Sequence, residues 1–225
     1  MRVHRCSRFV LAALALAVGA CSDGPTAPAT PLRLDEVLSE MSLSTVLPGG
    51  IGAPGGVPST AIVPGNCSYS ASLQSFVCAP VTAGTIRVDQ SYTLLSAAGT
   101  PQPAFDPAGT AAVRMTTHAA GTTSLAGVSS VMDLQQTMTL SGLLTRTHVL
   151  DGTQLMRMST TFPGSSFAPI GVGPSTFRST IDTRIDGLVM PGRGWTERYP
   201  RAGSITMTMT EEDRPFNTGP FVIRM

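Results

Sequence analysis

The chain has 225 residues, of which 42% are hydrophobic and only 13% charged, with 15 basic and 14 acidic side chains. Every basic residue is Arg, and three of the 15 lie within the first eight positions, so beyond them acids outnumber bases by two. Phosphate polymers need a concentrated cationic face, so this balance excludes nucleic acid as a partner.

Arg2, Arg5 and Arg8 open the chain as a positive segment, and Phe9 to Val18 follow as an uncharged apolar run. That run, roughly ten residues, is too short to span a bilayer core and suits the apolar region of a signal peptide. It ends in Val18-Gly19-Ala20-Cys21, which resembles the bacterial lipobox: an aliphatic residue, two small residues and a Cys. The resemblance implies cleavage after residue 20, diacylglycerol on the Cys21 thiol and a membrane partner reached through the lipidated N-terminus. Ser22 follows the anchor where Asp often retains lipoproteins at the inner membrane, so the same resemblance implies the outer membrane. Residues 21–31 form a polar, Pro-rich tether of the kind that separates an anchor from a domain.

Residues 32–66 divide into a short helix and a linker. Leu34, Val37, Leu38 and Met41 recur at helical spacing, with Asp35, Glu36 and Glu40 on the opposite side, which predicts an amphipathic helix over 32–43. A helix this short needs a docking surface. Gly and Pro interrupt residues 47–66 too often for a helix or a central strand.

Residues 67–225 are expected to form a disulfide-stapled β domain. Once Cys6 leaves with the signal and Cys21 is lipidated, Cys67 and Cys78 remain as a pair in an oxidising compartment. A hairpin turning at Ser72-Leu73 sets Cys67 opposite Cys78 and Tyr69 opposite Phe76. Candidate strands follow over 85–95, 112–118, 134–141, 143–150, 153–160, 177–186, 204–210 and 222–225. A turn is expected at Ala97-Ala98-Gly99, and Asp151-Gly152 is the strongest hairpin-turn signal in the chain. Apolar residues alternating with Thr and charged residues mark one buried and one wet face. The fold class expected is mainly β: an antiparallel meander, built as a partial barrel or a sandwich, with one short N-terminal amphipathic helix.

No catalytic motif stands out. No G-x-S-x-G elbow occurs, and Gly164-Ser165-Ser166 lies in a Pro/Gly-rich loop. His118 is expected on an exposed strand, and His148 in solvent beside the Asp151-Gly152 turn. Arg178, Asp182, Arg184 and Asp186 share one strand face and read as a salt-bridge ladder. Glu211-Glu212-Asp213 lacks the spaced ligands of a calcium loop. No metal or cofactor is expected. Ten methionines follow the initiator, and Met138, Met207 and Met209 fall on inferred apolar faces, where thioethers fill gaps or line an apolar ligand surface.

Lipobox, Pro-rich tether, acidic helix, Cys-bracketed hairpin and Thr-rich strands together resemble uncharacterised secreted β-rich lipoproteins of GC-rich bacteria, a group that brings no assigned activity. The helix-plus-meander plan is also similar, at the level of fold alone, to periplasmic carriers that sort lipoproteins. The function expected is a lipid-anchored cell-envelope protein with a non-enzymatic structural or protein-binding role. The alternative is a carrier or sensor of hydrophobic ligands, and a secreted hydrolase stands third.

Overall fold

The computed structural model describes residues 32–44, 64–125, 127–145, 147–163, 175–190, 201–212 and 218–224. The segments read as a signal and a tether, together with Cys21, most of the Gly/Pro linker, Gly164-Ser165-Ser166, Asp213 and Met225, lie outside them. The described residues belong to one compact unit, Leu32–Met225.

Helix α1 runs Leu34–Ser44. Asp35 and Glu36 sit in its first turn, and the Glu36 carboxylate accepts a hydrogen bond from the Arg33 backbone N–H at 3.3 Å, closing the N-terminus in the manner of a capping box. Its apolar stripe, Val37, Leu38 and Met41, is fully buried in the main core. Burial of each such side chain stabilises by about 1.5–3 kcal/mol, which holds a helix that would be marginal alone.

The strands are β1 (Cys67–Ser70), β2 (Ser75–Cys78), β3 (Val81–Ala83), β4 (Ile86–Ser96), β5 (Pro101–Gln102) and β6 (Thr110–Leu125). They continue as β7 (Val128–Ser141), β8 (His148–Phe162), β9 (Ser175–Met190), β10 (Ala202–Glu211) and β11 (Thr218–Arg224). All join one antiparallel, 11-stranded open sheet in the order β1-β2-β4-β6-β7-β8-β9-β10-β11, with β3 and β5 both paired to β4. From β6 onward each strand pairs with the next, the expected meander. A single open sheet takes the place of the sandwich alternative.

The β1–β2 hairpin has the register read from sequence: Cys67 pairs with Cys78 and Tyr69 with Phe76. A disulfide joins the two cysteines. Phe76 stands edge-on to Tyr69 and stacks flat on Tyr92 of β4, with ring centroids 4.7 Å apart. The stapled hairpin is thereby locked to the sheet through its apolar side.

Asp151-Gly152 is not a turn. Both residues lie inside β8, and the β7–β8 connection instead turns at Gly142 (φ +80°), whose carbonyl accepts hydrogen bonds from the Thr145 N–H and hydroxyl. At Asp151 the β8–β9 register shifts, so that Asp186 and Gly187 together oppose one residue of β8. Gly187 is left-handed (φ +58°), and its N–H donates to Asp151 Oδ1 at 2.7 Å. The dipeptide marks a β-bulge, where the Asp side chain satisfies an amide that the ladder leaves out. The bulge also reverses face parity on β9: Ile185 and Leu188, three residues apart, are both buried.

Candidate functional site

Cross-strand register assigns the side chains to two faces. On the inner face one row crosses the sheet as Tyr92, Met115, Met138, Gly152, Ile185 and Ile205. This row and its neighbours meet α1 in the main core. A second inner row, Val88, Ala119, Leu134, Met156, Ile181 and Met209, runs through a separate, smaller apolar cluster.

Between these two apolar rows runs a polar one. Gln90, Thr117, Gln136, Gln154 and Thr183 stand in register on five adjacent strands. Thr117 is 6% exposed and Gln136 3%. Gln136 Nε2 donates to Gln154 Oε1 at 3.4 Å, whereas Thr117 Oγ1 and Gln136 Oε1 are buried without a hydrogen-bond partner. Such atoms carry an uncompensated desolvation cost, so the row weakens the sheet that it crosses.

The outer face is wet, and across β6–β9 it holds an open depression of about 610 Å³. Two registered rows line it, and Thr117 and Gln136, between those rows along β6 and β7, also border it. Thr116, Thr137 and Thr153 form the first, and Arg184 is the next residue in line on β9. His118, Gln135, Leu155 and Asp182 form the second. Neighbours within a row are roughly 5 Å apart across the strands, and the rows roughly 7 Å apart along them. The lining mixes hydroxyl, amide, imidazole and carboxylate groups around one aliphatic side chain, and it contains no serine.

Two ion pairs lie near the depression, and exposed Arg114 and Arg157 share its face. Arg184 Nε donates to Asp186 at 2.8 Å, and the Arg87 guanidinium binds the Asp89 carboxylate through both Nε and Nη2. These hydrogen bonds from Arg87, aided by its charge and by nearby His118, hold the Asp89 carboxyl below its ordinary pKa. His118, 46% exposed, has Nε2 3.7 Å from Asp133 Oδ2, beyond hydrogen-bond length. The ladder expected on β9 is thus an Arg184–Asp186 pair, while Asp182 faces the depression.

His148 departs from its expected place. It is 4% exposed at the start of β8, on the same face as Leu150, because the chain continues through Asp151-Gly152 instead of turning there. Met138 is 1% exposed and forms part of the main core, whereas Met207 and Met209 are half-buried three strands away on β10. The three share a face but not a common lining. Among the described residues no three His, Cys, Asp or Glu side chains are placed to hold a metal ion. No described helix is long and apolar enough to cross a membrane.

Thr116, Gln135, Thr137, Thr153 and Leu155 had no sequence signal of their own. Each reads singly as a residue of a wet strand face, and only register makes them neighbours. No family model, curated protein or solved structure matches the chain.

Proposed function

We propose that this chain is a lipid-anchored cell-envelope protein, directed to the outer membrane, with a non-enzymatic structural or binding role exercised through the wet face of its sheet. The anchor rests on Val18-Gly19-Ala20-Cys21 behind an Arg-flanked apolar run. The observation that carries the binding role is the polar depression over β6–β9. The opposite face is occupied: α1 and the sheet bury Met138 and its neighbours in a common core. That arrangement supports an outward-facing role over a carrier whose Met138, Met207 and Met209 would line one apolar cavity.

Two measurements test the reading. Cys21→Ser should abolish palmitate labelling and release the protein from membrane fractions; membrane retention equal to wild type would sink the anchor. A photocrosslinking side chain at position 137 should capture an envelope component in cells, and one at position 73, on the exposed tip of the stapled hairpin, should not. Equal yields at the two positions would sink the role of the wet face.

A further inference from the structure

We infer that the depression over β6–β9 binds a neutral, hydroxyl-rich chain, a short glycan. This rests on the wet face being the working surface and names what that surface would take. The lining offers donors and acceptors together: three threonine hydroxyls in one row, and Gln135, His118 and Asp182 in the next. A sugar presents the same mixture, because each of its hydroxyls both donates and accepts. Its C–H face needs an apolar spot, and half-buried Leu155 lies within the second row. Four adjacent strands span about 14 Å, the reach of a short oligosaccharide. β-Branched threonines have few rotamers to lose on binding, so the hydroxyl row is organised before a ligand arrives.

Competing ligand classes fit less well. A phosphate or carboxylate polymer would meet Asp182 in the lining, with Asp89 and Asp133 close to His118. Of the guanidiniums around the depression, Arg184 and Arg87 are held by Asp186 and Asp89, whereas exposed Arg114 and Arg157 lie on the same face next along β6 and β8 from Thr116 and Leu155, so it is the carboxylates that disfavour an anionic chain. A peptide could not add as a strand, because each of β6, β7, β8 and β9 has a paired strand on both sides. An acyl chain would find Leu155 as the sole aliphatic side chain of the lining.

The test is saturation-transfer difference NMR on the lipidated full-length protein in nanodiscs. Maltotriose, cellotriose and chitotriose serve as neutral probes, and trigalacturonate as the anionic one. Transfer to at least one neutral sugar is expected, with a dissociation constant that rises about tenfold in Thr137→Val and in Thr153→Val, the loss of roughly one hydrogen bond. Both variants keep the β-branched shape at exposed positions, so their thermal midpoints should match wild type. No transfer to any neutral sugar, unchanged affinity in both variants, or preference for trigalacturonate overturns the inference. Fractionation of Cys21→Ser and crosslinking at position 137 are read independently, so a protein that anchors and crosslinks but binds none of the sugars loses only the glycan.

Discussion

Gly152 and Met138 face each other across the β7–β8 ladder, and the thioether of Met138 occupies the space that a Gly152 side chain would need. A Cβ there would also stand 2.6 Å from the Thr137 carbonyl oxygen, which is backbone and cannot swing aside. Gly152→Ala should therefore destabilise the domain by about 1–3 kcal/mol through overpacking. Adding Met138→Ala should not restore the loss, because the carbonyl clash persists and a buried methionine is removed as well. Urea midpoints report both; a Gly152→Ala midpoint equal to wild type would refute the close approach.

The bulge beside it depends on Asp151. Its carboxylate holds the Gly187 N–H at 2.7 Å where the β8–β9 ladder skips a residue. Asp151→Ala should cost about 1 kcal/mol, and Asp151→Asn, which keeps an acceptor, should cost less. Hydrogen exchange at the Gly187 amide should quicken in the Ala variant before global unfolding does. Equal exchange in all three proteins would show that the side chain does not close the bulge.

The polar row on the inner face predicts a gain in stability on mutation. Thr117 Oγ1 is buried without a partner, and Val has nearly the same shape as Thr without the hydroxyl. Thr117→Val should raise stability by about 1 kcal/mol. Gln136→Leu should do the same to a lesser degree, since it also removes the hydrogen bond to half-buried Gln154. A lowered urea midpoint in Thr117→Val would mean that a water or another group satisfies the hydroxyl in solution.

The Arg87–Asp89 pair makes a pH prediction with a definite sign. Hydrogen bonds from Arg87 depress the folded-state pKa of Asp89. Its contribution is therefore present above the ordinary aspartate pKa and disappears as pH falls through the depressed folded value. Arg87→Gln should return the Asp89 titration, followed by carboxyl NMR shifts, toward the ordinary range and flatten that acid-side loss. Both groups are exposed, so raising the salt to 1 M should shrink the difference. An Asp89 titration identical in Arg87→Gln and wild type would remove the pair as its cause.

Local pattern carried the fold class and one register a long way. The Cys67–Cys78 hairpin was legible because both strands and the turn lie within twelve residues, and counting by twos from the cysteines places Tyr69 opposite Phe76. Strands β7, β9 and β10 were legible from alternation, and the α1 stripe from its helical spacing. Alternation marks β9 only as far as Asp186, because the bulge at Gly187 breaks the period of two and the strand resumes with opposite parity at Leu188. Asp151-Gly152 misled for a related reason. Asp and Gly suit a two-residue turn and a bulge equally, and only the partner strand decides between them.

By itself, then, the sequence determined what depends on short stretches of chain: the stapled hairpin, the amphipathic helix and the alternation that makes one face dry and one wet. Tertiary structure alone decided what depends on pairing between distant strands: that Gly152 makes room for Met138, that His148 is buried, that Thr117 and Gln136 interrupt the core, and that Thr116, Thr137 and Thr153 stand in one row. Side-chain period is a property of a single strand, whereas register is chosen by the whole sheet through non-local burial and bulges.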